Sequence, residues 1–264
     1  MIILYILAII IALVWVCGFI YTNDFSVTTS TKIRNANRVL IIFPHADDEV
    51  MTTGGLMTTL SRLGSKLTWI IVTSGEKGTP RGTVNTDLIN IRRLEAEKVA
   101  KVFGVQTLIQ LKYPDGNLEN TISKLKAELD VLIREIKPNI VITYDLSGLY
   151  GHPDHITLSM VVTKIVKDNP EIKLLYASFP SRILNTISLP KHMAKNTDYA
   201  QSRAYPSIKT WIGLNGILCK IKASYSYISQ GGGSSRNMPI KWIPMWFYIS
   251  LTLYEYFHEV KLDK

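Results

Sequence analysis

Between residues 38 and 177 the chain alternates short apolar, β-branched runs with longer stretches of helical periodicity, and few folds accommodate that alternation. Arg38-Val39-Leu40-Ile41-Ile42 reads as a buried parallel strand. A helix follows from Glu49 to Leu63. Leu67 to Thr73 is a second strand. Thr86-Asp87 caps a helix reaching about Phe103, and Gly104 ends it. Val105 to Leu111 is a third strand. Residues 119–136 place Ile122, Leu125, Leu129, Leu132, Ile133 and Ile136 at helical spacing. Asn139 to Tyr144 is a fourth strand, Pro153 to Lys167 a helix opened by its proline, and 172–177 a fifth strand. Strands separated by helices predict an α/β fold, a Rossmann-like parallel sheet of order 3-2-1-4-5 flanked by helices. In that order strands one and four are neighbours at the topological switch point, where ligands bind beyond the carboxyl ends.

Those two strands are followed by the most reactive residues of the chain. After the first comes Phe43-Pro44-His45-Ala46-Asp47-Asp48-Glu49; after the fourth comes Tyr150-Gly151-His152-Pro153-Asp154-His155. Histidine nitrogens and carboxylate oxygens are the ligands of a divalent cation such as zinc, and a catalytic site leaves one position open. His45, Asp47, Asp48, His152, Asp154 and His155 are the candidates. Two adjacent aspartates cannot both bind one small ion in the same way, so one ligates and the other is free to act as a general base. A histidine left over can stabilise an oxyanion or protonate a leaving amine. These residue types point to metal-assisted hydrolysis of an amide or ester. Each short motif alone is weak, and Asp47-Asp48 alone would suit a helix N-terminus. The pair, each just beyond a strand, is considerably more specific.

Pro-His-Ala-Asp-Asp-Glu and Gly-His-Pro-Asp-His together resemble the motifs of the N-acetylglucosaminyl-phosphatidylinositol de-N-acetylase family, the PIG-L or LmbE-like deacetylases. The resemblance covers about residues 38–180 and, more loosely, Tyr227 to Gln230. Ala46 stands where the family usually has proline, which affects only the loop. The resemblance implies His45, Asp48 and His155 as zinc ligands, with iron(II) or another divalent ion as an alternative. It implies Asp47 as general base and His152 as the group that assists the transition state and protonates the departing amine. Asp154 would orient His152, and Tyr150 would help to polarise the substrate carbonyl. Arg92, Arg93 and Asp115 match substrate-binding positions near the sugar pocket, although the two arginines read equally well as solvated helix residues. The loop Ser74 to Gly82 lacks phosphate-cradle spacing and reads as a lid.

Residues 2–21 carry no charge and are almost all aliphatic or aromatic. Twenty such residues span roughly 30 Å as a helix, the thickness of a bilayer core. No basic segment precedes them and no small-x-small cleavage site follows, so the expectation is a transmembrane anchor over 1–22 instead of a cleaved signal. Lys32, Arg34 and Arg38 follow the anchor, which places the catalytic domain on the cytoplasmic side. Residues 23–37 read as a polar linker, and 38–264 as the deacetylase domain. Within it, the aromatic stretch 240–258 is a candidate membrane-interfacial element, with a cap on the core as the alternative. Cys17 and Cys219 are the only cysteines, so no disulfide framework is expected. Residues 181–210 hold few signals.

The net charge of +9 suits an anionic membrane surface or nucleic acid, but the basic residues are scattered and no nucleic acid is expected as partner. The function expected is zinc-dependent de-N-acetylation of an N-acetylglucosamine conjugate. With an anchor present, a lipid-linked conjugate is favoured over a soluble amino-sugar conjugate. A non-catalytic, basic, membrane-bound binding module is the rival from another class.

Overall fold

The computed structural model of the chain describes residues 1–78, 84–186, 198–234 and 243–261. Its strands are β1 (Thr28–Thr29), β2 (Arg38–Phe43), β3 (Lys66–Thr73), β4 (Thr107–Tyr113), β5 (Ile140–Thr143), β6 (Lys173–Ser178), β7 (Ile208–Trp211) and β8 (Tyr254–Glu259). Its α-helices are α1 (Ile2–Thr22), α2 (Asp48–Thr52), α3 (Gly54–Arg62), α4 (Thr86–Phe103), α5 (Ile122–Ile136), α6 (Gly148–Gly151), α7 (Pro153–Lys167), α8 (Ser181–Leu184), α9 (Gly213–Ser226) and α10 (Met245–Ser250).

β2 sits inside the sheet, parallel to both β3 and β5, so both its faces are covered. This is why its sequence is an unbroken apolar run. Val39, Ile41 and Phe43 turn to a core shared with α3, α4 and α9, whereas Leu40 and Ile42 turn to one shared with α5 and α7. Each such side chain, fully buried, contributes roughly 1.5–3 kcal/mol. The helices thus form a layer on each face and leave the carboxyl ends of β2 and β5 open side by side.

The sheet order is β1-β7-β8-β6-β5-β2-β3-β4. This corrects the expected five-stranded, wholly parallel sheet. The five anticipated strands adjoin one another, but the sheet continues past β6 through an antiparallel β8 to β7 and β1. Within the stretch 240–258, Tyr256 and Phe257 of β8 are buried in the sheet, so residues 254–259 are the cap on the core that was the alternative. Residues 23–37, expected as a linker, are built into the domain: β1 pairs with β7, and Ile33 is buried in the main core.

The helix expected over 49–63 breaks at Thr53, whose backbone is non-helical. The Gly54-Gly55 pair beyond the break lets α9 cross closely; a Cβ on Gly55 would lie 2.6 Å from Ile212 Cδ1. Asn85, not Thr86, caps α4 through its side chain. Thr79 to Gly82 of the expected lid, Trp242, Ser235 and residues 187–197 of the stretch 181–210 lie outside the described residues.

Candidate metal centre

β2 delivers His45 to the carboxyl edge, and the loop is pinned when the N–H and Oγ1 of Thr73 on β3 both donate to Pro44 O at 2.9 Å. The chain reverses at Asp47, whose φ of 104° is left-handed. A non-glycine residue there costs of order 1–3 kcal/mol and persists only where its surroundings enforce it. They do so twice. The Asp47 N–H donates to Glu49 Oε2 at 3.0 Å, and the buried Arg92 donates from Nη2 to Ala46 O. The reversal separates the two aspartates. Asp48 turns inward with its side chain 6% exposed, whereas Asp47 stays 40% exposed, 3.7 Å from Arg92 Nη2.

From β5, Tyr144 stacks on His155 at 4.6 Å and donates its hydroxyl to Asp48 O and Oδ1 at 3.1 and 3.2 Å. After α6, His152 caps α7: its Nδ1 accepts the Asp154 N–H at 3.2 Å. That bond assigns the ring hydrogen of neutral His152 to Nε2. His155 follows within the first turn of α7, fully buried, with Tyr150 OH 3.4 Å from its Nε2.

The two loops converge. His45 Nδ1 lies 3.2 Å from His155 Nε2 and 3.5 Å from Asp48 Oδ2, and His155 Nε2 lies 3.3 Å from Asp48 Oδ1. The far nitrogen of His45, Nε2, lies 3.2 Å from both Asp115 Oδ1 and Asp154 Oδ2. Asp154 is itself held by the N–H groups of Gly116 at 2.6 Å and Leu118 at 3.1 Å. Donor atoms of His45, His152 and His155 lie within 4.8 Å of one another, as do those of His45, Asp115 and Asp154.

The electrostatics suit a cation. Burial pulls the His45 imidazole down, but hydrogen bonds from Asp115, Asp154 and Asp48 outweigh it and hold the ring well above its usual pKa. Burial pushes Asp48 up, yet His155 and His45 together bring it below the usual range. Asp115 ends at about 2, its burial overcome by His45. His155 and His152 are pushed down to about 3 and about 4, chiefly by burial, and stay neutral. Neutral imidazoles beside ionised carboxylates are the donor set that a divalent metal takes, and His45 would release its Nδ1 proton on joining it. Asp47 differs: the walls of the site partly desolvate its carboxylate although its side chain stays 40% exposed, and this, with Asp48 adding to it and Arg92 opposing, raises it to about 6.

His45, Asp47, Asp48, Arg92, Asp115, Tyr150, His152, Asp154 and His155 are therefore brought together. Arg93 is not; it pairs with Glu97 on the exposed side of α4, the solvated alternative. Asp154 orients His152 through its backbone N–H and favours the charged imidazole by its own charge, while its carboxylate also faces His45. Asp115 likewise holds His45 and accepts the Lys77 N–H at 3.2 Å. Glu49 and Tyr144 carried no expected task, although Glu49 lay within the first motif, and Tyr227 was expected only as part of a substrate-side element. Tyr227 donates to Glu49 Oε1 at 2.9 Å, from 178 positions away.

Residues 40–166, which carry both loops, match the family described as GlcNAc-PI de-N-acetylase, PIG-L. These residues form a PIG-L domain. The chain is 30% identical over 146 residues to a probable N-acetyl-alpha-D-glucosaminyl L-malate deacetylase 2 of Bacillus anthracis, covering 53% of this chain and 64% of that protein. It is 34% identical over 134 residues to a diacetylchitobiose deacetylase of Thermococcus kodakarensis, covering 50% of this chain and 49% of that one. The chain thus spans from about half to somewhat under two thirds of these relatives' length. Its fold resembles N,N'-diacetylchitobiose deacetylase from Pyrococcus horikoshii, with a TM-score of 0.63 and 22% identity, over 86% of this chain and 85% of that one.

Proposed function

We propose that the PIG-L domain is a metal-dependent de-N-acetylase that hydrolyses the acetamide of an N-acetylglucosamine conjugate to acetate and a glucosamine conjugate. The observation that carries this reading is the contact of His45, Asp48 and His155 at 3.2–3.5 Å with Asp47 beside them, free of the cluster and partly exposed. Those three residues would hold the ion, zinc in the first instance and iron(II) as the alternative. A divalent ion bound there supplies Lewis acidity, which makes water a better nucleophile and polarises the acetamide carbonyl.

The chain's own groups account for the proton transfers. Asp47, raised to about 6, is ionised near neutral pH and takes a proton from the attacking water. His152 offers Nε2–H to the oxygen that gains charge as the carbonyl becomes tetrahedral. Tyr150, its hydroxyl held well above its usual pKa by burial, stays protonated and offers a second donor. His152, as expected from the resemblance, and Asp47 once it has taken the proton are the two groups placed to protonate the departing nitrogen. Arg92 holds the Asp47 turn from behind.

The uncharged helix α1 supports a membrane-anchored enzyme, with the domain on the cytoplasmic side and a lipid-linked substrate of the N-acetylglucosaminyl-phosphatidylinositol kind. A soluble conjugate is the second reading, favoured by relatives whose names refer to a malate conjugate and to chitobiose. Release of free amine separates the readings. Detergent-solubilised full chain, loaded with zinc, is given lipid-linked and soluble N-acetylglucosamine conjugates. Turnover abolished by chelation and reinstated by metal is the expected result. Metal bound with no turnover on any acetamide would sink the hydrolase reading, and preference for the soluble conjugate would sink the lipid-linked one.

A further inference from the structure

Helix α1 is fastened to the domain, not strung from it. Trp15 Nε1 donates to Ser250 Oγ at 3.2 Å. Thr22 Oγ1 and Asn23 Nδ2 both donate to Leu251 O, at 3.0 and 2.6 Å. Arg182 Nη1 donates to Ile20 O at 3.2 Å, and Gly18 lies so near Leu251 that a Cβ there would stand 3.0 Å from Leu251 Cδ1. Residues 2–17, by contrast, are exposed throughout. An aromatic row continues from the helix onto the sheet edge: Trp15–Phe19, Phe19–Phe25, Phe25–Tyr254 and Tyr254–Trp211, with centroids 5.2, 6.0, 6.4 and 5.4 Å apart.

Large apolar side chains stand exposed at the end of β7 and on α9 and α10. Trp211 is 40% exposed, Trp246 47%, Leu214 74% and Leu218 62%. Trp246 lies one turn before Ser250, on the side of α10 that meets α1, and Leu214 and Leu218 share one face of α9.

We propose that this face, formed by the end of α1, α10 and the β7–α9 junction, seats on a lipid bilayer surface and fixes the orientation of the domain. The inference rests on reading α1 as membrane-spanning. The helix of 21 residues carries no charge and is about 31 Å long, of which residues 2–14, before the first contact with the domain at Trp15, place about 20 Å in the hydrocarbon layer. Because its last turns are bonded to the domain, whatever surrounds them lies at headgroup depth. Trp and Tyr favour that depth, their rings apolar and their N–H or O–H wet. The occupant that this position dictates is therefore lipid, not a protein partner.

The seat lies at the carboxyl edge of the sheet, beside Trp211 at the end of β7 and just past the end of β6. The metal centre lies on that same edge, at β2. With strands about 4.8 Å apart, the four steps from β7 to β2 amount to roughly 20 Å. A sugar carried on a lipid in the seating membrane is thereby presented at the edge that holds the site.

Variants of the full chain that keep Trp69 and only one of Trp15, Trp211 or Trp246, the other tryptophans replaced by Phe, are placed in phosphatidylcholine vesicles with plain or brominated acyl chains. Trp69, fully buried, is the internal reference, and its emission reports folding. Quenching of Trp211 and Trp246 at least about twofold beyond Trp69 is expected. Quenching of Trp15 alone would overturn the seat and leave the anchor standing; no quenching of Trp15 would overturn the anchor and the seat with it. If a variant loses its fold, photo-labelling of the unaltered chain by a diazirine lipid reads the same surface. Label on 211–218 and 245–250 supports the seat, and label confined to α1 overturns it.

Discussion

Tyr227 donates its hydroxyl to one oxygen of Glu49 at 2.9 Å, while the other oxygen of Glu49 accepts the backbone N–H of Asp47 at 3.0 Å. The end of α9 thereby sets the conformation of the catalytic turn. Removing the phenol hydroxyl leaves a buried acceptor without its donor, which costs about 1–3 kcal/mol. Tyr227→Phe should lower kcat about 3- to 30-fold with bound metal unchanged. Loss of metal in step with kcat would show that the contact supports the ligands and not the turn.

Asp47→Asn should retain metal and lose about a hundredfold or more of kcat, the usual scale for a general base. Asp48→Asn should lose metal. Because the base works ionised, kcat/KM should fall as pH is lowered through the Asp47 pKa. Partial desolvation raises that pKa to about 6, and a cation held next to it can only bring it down. An acid limb centred above 7 would identify another group as the base.

Asp115 and Asp154 both lie 3.2 Å from His45 Nε2, the nitrogen turned away from Asp48 and His155. Carboxylates so placed orient a ligating imidazole, and losing one costs about 10- to 100-fold in metal affinity. Asp115→Asn should weaken metal binding to that extent in competition with a chromogenic chelator. A raised KM with metal affinity intact would return Asp115 to the sugar pocket.

The two neighbouring arginines should behave oppositely. Arg92 is buried against Ala46 O and Asp47, and a Cβ on Gly75 or Gly78 would strike its side chain. Arg92→Lys loses the planar fork and should cost about tenfold or more in kcat/KM. Arg93→Ala removes only an exposed pair with Glu97, worth about 0.3–0.5 kcal/mol, and should leave steady-state kinetics unchanged.

Lys220 and Glu255 form an ion pair at 3.0 Å with side chains 0% and 1% exposed. Lys220→Met strands a buried carboxylate and should cost about 3–5 kcal/mol in denaturant unfolding of the solubilised chain. A change below about 1 kcal/mol would mean that backbone N–H groups alone satisfy Glu255.

Much of this was readable in the sequence for a physical reason. β2 and β5 are covered on both faces and must be apolar throughout, so they announce themselves, and the reactive residues follow directly. β7 and β8 were missed because their polar residues find partners only in the fold. Lys209 is buried on β7 with its amine on Asp24 O, and Glu255 of β8 is spent on a helix end. His45, Asp47, Asp48, His152, Asp154 and His155 could be grouped because they follow two strands; the choice of His45, Asp48 and His155 among them was implied by the family resemblance. The tasks of Asp115, Asp154 and Glu49 are set by loops meeting across the carboxyl edge, and no local spacing encodes them.

The carboxylate of Glu255 accepts the N–H groups of Gly55 and Leu56 at 2.8 and 2.7 Å, across some 200 positions. During synthesis the first loop emerges early, but α3 behind it waits for that strand before its amino end is satisfied. The metal centre should therefore mature late, and a ribosome-bound chain arrested before β8 should carry both motifs and bind zinc poorly.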